Sequence, residues 1–124
     1  MTRKKIFISF QHDTDRPLKD LLIGQSHNDG SPFEVTDGSL KEAAPEKDWE
    51  KQAERRIKAS DIVIVLVGPT THGASGVKKE VAIARRLNKK IVQLIGYRDR
   101  KHKRVPHAGR LYCWTWDNLK KILR

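Results

Sequence analysis

The chain has 124 residues, with 26 Lys+Arg against 15 Asp+Glu and a formal net charge of +11. This length suits one domain spanning 1–124, and the grouping of apolar residues into blocks excludes a disordered polyelectrolyte. No apolar run is long enough to span a bilayer, the basic start MTRKKIFISF has too short an apolar part for a signal peptide, and a single cysteine, Cys113, excludes an internal disulfide; a cytoplasmic protein without membrane contact is expected.

Lys5–Phe10 (KIFISF) reads as a short β-strand. Asp15 as a cap and Pro17 in the first turn announce a helix. Leu18, Leu21 and Leu22 carry its apolar spacing, and Gly24 is placed to end it. His27–Pro32 (HNDGSP) is turn chemistry, and Phe33–Thr36 is a short strand ending at Asp37-Gly38. Glu46–Lys58 is an amphipathic helix with Trp49, Ala53 and Ile57 on one stripe. Trp49 is expected to anchor that helix to the sheet.

Asp61–Val67 (DIVIVLV) is continuous and β-branched, the mark of a strand buried on both faces. Val77–Leu87 is the next helix, with Asn88 to close it, and Lys90–Ile95 (KIVQLI) is the next buried strand. Tyr97–Gly109 is a basic loop without apolar periodicity. Leu111–Cys113 is a short last strand, with Cys113 as an apolar filler. Trp116–Leu123 is a closing helix whose dipole Asp117 complements; Trp114 and Trp116 are placed to pack the last strand and helix together. Alternation of this kind gives a parallel sheet covered by helices on both faces, an α/β three-layer sandwich.

Charge is unevenly spread. Residues 1–62 have a balance of −1 and residues 63–124 a balance of +12, so the second half carries the positive field. Such a field attracts phosphates or an acidic partner; it equally describes a soluble basic surface.

In an open parallel sheet, ligands bind beyond the carboxyl ends of the strands, where strand order reverses. Those ends here hold Gln11, His12, Asp13, Asp37, Thr70, Thr71, His72 and Ser75. Small residues around 73–76 leave backbone amides accessible at a helix start, which favours an anion. In that helix Glu80 has an unusual place. With Val77 at zero and about 100° per residue, Val81 falls near 40°, Ala84 near 340° and Glu80 near 300°. Glu80 therefore lies inside the apolar stripe, close to the strand-end rim. A carboxylate there is paired, hydrogen-bonded or functional.

Other polar residues have plainer readings. His12 lines the cleft or sits in a loop. Asp37 bonds a ligand at the strand end or caps the turn that follows it. Thr70 and Thr71 satisfy loop backbone. His72, His102 and His107 lack the paired spacing of a zinc site, so no metal is expected. Ser9 and Ser75 have no His–Asp context to make them nucleophiles.

The segments KIFISF, LIGQS, SPFEVTDGSLKEAAPEKDW, RRIKASDIVIVLVGPTTHGASGVKKEVAIA and IVQLIGY together resemble the TIR-like family over roughly residues 4–97. They most resemble small bacterial and archaeal TIR-like proteins, including the TIR-like component of the Thoeris antiphage system. The resemblance implies a flavodoxin-like fold with five parallel strands ordered 2-1-3-4-5. It also implies cleavage of NAD at the nicotinamide glycosidic bond, giving an ADP-ribose-derived signal that activates an effector protein in antiviral defence. NAD is then the substrate, and no separate cofactor is implied.

The family's catalytic glutamate maps onto Glu80, in GVKKEVAIA. The segment from Ser9 and Phe10 through His12 to Asp13 matches the cleft lining after the first strand, with Phe10 able to stack on a ring. Asp37, Thr71 and Ser75 complete the candidate nucleotide contacts. Two positions depart from the pattern: Val77 stands where the family commonly has a tryptophan, and Gly38 where relatives have an aromatic.

The implied chemistry needs only one carboxylate. The nicotinamide of NAD is a pyridinium and leaves as a neutral molecule, so no general acid is required. Ordinary glycosidases use two carboxylates partly because their leaving group is poor. A carboxylate near the ribose stabilises an oxocarbenium-like transition state.

A second reading has the same fold without turnover: a nucleotide-binding or scaffold module that assembles through TIR–TIR contacts into homo-oligomers. A third, nucleic-acid binding by the basic segment Arg98–Arg110, rests on charge alone. That segment lacks interleaved aromatics for base stacking, so it is the weakest of the three.

Overall fold

Strand β1 (Lys4–Ser9) alternates Ile6 and Ile8 to one face and Phe7 and Ser9 to the other, as the two-residue period of a strand requires. The structure, a computed structural model, describes residues 3–35, 46–97 and 103–123, with backbone only for residues 12, 13 and 46–48. The elements that follow are α1 (His12–Ser26), β2 (Phe33–Val35), α2 (Glu46–Lys58), β3 (Ile62–Val67), a 3-10 turn (Thr71–Gly73), α3 (Ser75–Arg86), β4 (Lys90–Ile95), β5 (Arg110–Cys113) and α4 (Trp116–Ile122). All strand pairs are parallel, in the order β2-β1-β3-β4-β5. This is the flavodoxin-like arrangement, with its switch point between β1 and β3.

The larger core lies between the sheet and helices α1 and α4. Ile6, Ile8 and Phe10 meet Leu18 and Leu22 of α1, Ile64 and Leu66 of β3, and Leu119 and Ile122 of α4. On the other face, Phe7 and Val63 meet Ile57 of α2 and Ala84 of α3, while Val65 and Val67 meet Val77 and Val81. β3 is buried along its whole length, which is why its sequence is a continuous β-branched run rather than an alternating one.

Helix α1 departs from the sequence reading. It begins at His12, its first bonds running from the Thr14 and Asp15 amides to the Gln11 carbonyl, and it continues past Gly24 to Ser26. Asp15 does not cap it, because its carboxylate bonds Thr71 across the rim of the sheet. Pro17 therefore lies inside the helix. Helix α3 starts at Ser75, two residues early, and closes as expected. Asn88 adopts φ +56°, and the Asn88 and Lys89 amides bond the Arg85 and Ala84 carbonyls, a Schellman ending.

The β4–β5 crossover was expected to be a featureless basic loop. Its described part, 103–109, instead buries Val105 and Ala108 against the α3 side of the sheet. Gln93, buried in β4, holds it: the side-chain oxygen accepts from the Val105 amide at 2.7 Å, and the side-chain nitrogen donates to the Val105 and Gly109 carbonyls. Gly109 has φ +81°, and a Cβ there would stand 2.0 Å from the Ile91 carbonyl oxygen, so only glycine fits.

Two further expectations are corrected. Cys113 is exposed, because β5 is an edge strand with little covering it. Trp49 is half-buried, with Lys79 of α3 at 5.9 Å from its ring centre; Ala53 and Ile57 carry the buried face of α2. Trp114 and Trp116 both pack on the larger core, which holds Leu119 and Ile122 of α4, and Trp114 also donates its indole N–H to Gln25 of α1 at 2.8 Å. No helix among the described residues is long and apolar enough to cross a membrane.

Candidate active site

Ser9 ends β1, beside the switch point, and its side chain faces α3. Glu80 comes down from the second turn of α3 onto the same spot. The Ser9 hydroxyl donates to Glu80 Oε1 at 2.8 Å, joining positions 71 apart in sequence. Glu80 is 1% exposed, and Val77, Val81 and Ala84 form the rest of the buried stripe of α3. The helical wheel put it there, and burial requires a partner for its charge. Val77, at the position where the resemblance pointed to a tryptophan, packs into the core against Val65 and Val67.

The rim is stitched together at two more places. The Thr70 hydroxyl donates to Gln11 Oε1 at 2.7 Å, linking the end of β1 to the end of β3. Thr71 is fully buried; its Oγ1 accepts from the Gly68 amide at 2.7 Å and donates to Asp15 Oδ2 at 3.0 Å. Asp15 is also 1% exposed. Its Oδ1 has no hydrogen-bond partner among the described residues. It lies so close to Gly68 that a Cβ there would stand 2.7 Å away.

The other sequence candidates fall as follows. Ser75 is exposed at the first position of α3, where the free backbone amides of the helix start favour an anion. His12 and Asp13 form the start of α1, directly beyond the end of β1. Asp37 lies outside the described residues. Phe10 is corrected: strand alternation turns it away from Ser9 and Glu80, it is 2% exposed in the α1 core, and Lys19 sits 5.3 Å from its ring centre. Its ring offers no open face for stacking. Thr71 satisfies loop backbone as its plainer reading had it, its Oγ1 accepting from the Gly68 amide while its hydroxyl donates to Asp15.

Sequence reasoning missed Asp15 as a buried rim acid. The available signal was the fit of Asp15 with Thr71 and Gly68 across the two strand ends, which no local pattern reveals. Gln93 was legible as a lone polar residue inside KIVQLI.

Part of the positive charge of α3 is neutralised by α2. Lys79 pairs with Glu50 at 3.3 Å and Arg86 with Glu54 at 2.8 Å, across the α2–α3 groove. A separate cavity of about 220 Å³ opens on the α1 face, lined by Leu21, Gln25, Ile95, Gly96 and Trp114. It includes neither Glu80 nor Ser9 and falls below the roughly 300–1,000 Å³ of typical ligand pockets.

Comparison with known proteins agrees with this architecture. The structure matches that of the CMP N-glycosidase BcmB of Clostridium botulinum, with a TM-score of 0.60 and 18% identity over 97% of this chain and 94% of that one; at that identity the likeness is one of fold. No curated protein matches the chain. The family model for the TIR-like domain of the Thoeris protein ThsB matches residues 7–101, a span that takes in the last three residues of β1, the switch point and all of α3. The chain belongs to the Thoeris ThsB TIR-like family.

Proposed function

We propose that this protein cleaves the N-glycosidic bond of a nucleotide, with NAD as substrate and Glu80 as the catalytic carboxylate. The observation that carries this reading is the Ser9–Glu80 pair, a carboxylate held at the end of β1 over the switch point. In the proposed step, the bond from ribose C1′ to the pyridinium nitrogen breaks and its electron pair goes to nicotinamide. Water's oxygen then bonds to C1′ and one proton is released. Glu80 stabilises the positive charge that grows on the ribose. The ADP-ribose-derived product, hydrolysed, cyclised or joined to another acceptor, acts as a signal to an effector in antiphage defence. The free amides at the start of α3 and the basic second half of the chain attract the pyrophosphate.

Leaving-group chemistry selects NAD over a nucleotide such as the CMP named for the structural neighbour. Nicotinamide departs neutral, whereas cytosine departs as an anion unless an acid protonates it. The first case needs no proton donor, so a single carboxyl group such as Glu80 suffices for it. Because Glu80 is 1% exposed, the rim opens as substrate enters; catalytic contacts commonly tighten only in the complex.

That same burial favours a second reading, in which the Ser9–Glu80 bond is structural and the chain is a scaffold that assembles with copies of itself. Nicotinamide release by concentrated protein separates the two, with NAD and CMP as parallel substrates. The enzyme reading expects release from NAD that is lost in Glu80→Gln. Equal release from both proteins removes Glu80 from the chemistry, and cytosine release in place of nicotinamide overturns the choice of NAD.

A further inference from the structure

We propose that Asp15 and Thr71 are positioning residues that fix Glu80 for the reaction, a proposal that rests on the reading of Glu80 as the catalytic group. Three side-chain bonds clasp the segment 9–15 to the segment 70–80: Ser9 to Glu80, Thr70 to Gln11 and Thr71 to Asp15. Only the first touches the reacting carboxylate. The third is the most deeply buried of the other two and leads directly into α3.

Backbone hydrogen bonds lead from Thr71 into the first turn of α3, the helix whose second turn carries Glu80. The Ala74 amide bonds the Thr71 carbonyl at 3.0 Å, and the Lys78 amide bonds the Ala74 carbonyl at 3.1 Å. Thr71 is fixed from the other side as well, by the Gly68 amide at the end of β3. Asp15 thus ties α1 to the turn that feeds α3, and Ser9 ties the end of β1 to α3 one turn further on. Glu80 is held from two directions by one closed ring of contacts.

Asp15 is more than a convenient acceptor. A neutral side chain would accept the Thr71 hydroxyl at less desolvation cost. Instead the site keeps a buried carboxylate with one oxygen unpartnered and packed against Gly68. A buried unsatisfied group of this kind calls for an explanation beyond packing. Positioning of the α3 turn supplies one.

Hydrogen exchange and nicotinamide release on the full chain test this. Thr71→Val is expected to speed exchange of amides 78–84 about tenfold, the scale of one lost buried hydrogen bond. It should lower kcat about tenfold with KM within about twofold, because the lock affects the transition state rather than nucleotide binding. Asp15→Ala, which removes the buried carboxyl group along with the bond, gives the same pattern and covers the case in which Thr71→Val does not fold. Thr71→Ser, which keeps the hydroxyl, is expected to restore both readouts. Faster exchange confined to Gly68, with 78–84 unchanged, overturns the proposal, and so does failure of Thr71→Ser to rescue. If the wild-type chain releases no nicotinamide, the catalytic reading fails, and exchange at 78–84 still decides whether the lock holds α3.

Discussion

Two helix acids meet the sheet rim in this protein, and they teach different lessons. Glu80 and Asp15 are both 1% exposed, and each accepts a bond from a hydroxyl far away in sequence. Glu80 descends from α3 onto Ser9, the last residue of a strand paired on both sides by β2 and β3. Asp15 reaches from α1 to Thr71, a turn residue already loaded by the Gly68 amide. Burial of a carboxylate therefore does not by itself mark a catalytic group. The two acids differ in their partners: Glu80 meets the end of β1 beside the switch point, while Asp15 meets a turn residue already committed to the Gly68 amide.

The largest expected effect falls on Glu80. Glu80→Gln keeps an oxygen for the Ser9 hydroxyl, so the fold should survive by circular dichroism. Nicotinamide release should fall roughly a hundred- to a thousandfold, or about 3–4 kcal/mol of transition-state stabilisation, by analogy with lost oxyanion-hole donors. Activity within about twofold of wild type would make the two acids equivalent and erase the contrast.

Gly68→Ala should come next, acting on Asp15. The new Cβ would stand 2.7 and 3.0 Å from its carboxylate oxygens. Thr71 holds that carboxylate in place, so a cost of about 1–3 kcal/mol is expected from overpacking. A denaturant midpoint unchanged from wild type would show that the carboxylate swings aside and that the lock is loose.

Ser9→Ala is expected to cost about 1 kcal/mol of stability, the net loss of one buried hydrogen bond, since Glu80 keeps another interaction. Its larger signature should be in turnover, where Glu80 loses its orientation. A stability loss with turnover intact would assign the pair to the fold alone. The smallest effect is expected from Arg86→Ala, which breaks the exposed 2.8 Å pair with Glu54. A change within about 0.5 kcal/mol is expected for a surface pair, and a larger one would mean that the α2–α3 groove, not the rim, fixes α3.

Sequence alone determined the order and type of the described strands and α-helices, though not the 3-10 turn Thr71–Gly73, because each of those strands and helices is written in short-range periodicity. DIVIVLV can only be a strand covered on both faces, and the four-residue spacing of Ala53 and Ile57 can only be one face of a helix. It determined the buried place of Glu80 too, since a helical wheel needs no tertiary knowledge. Three things came only with the tertiary structure. Strand alternation together with the packing of α1 turned Phe10 into the core, away from the cleft. Asp15 became a rim acid rather than a cap because Thr71, 56 positions away, competes for its carboxylate and wins. The β4–β5 segment became a fixed cover because Gln93 satisfies its backbone, in the way a helix would have satisfied its own. In each case the deciding partner is distant along the chain and close in space, and local sequence pattern does not carry that information.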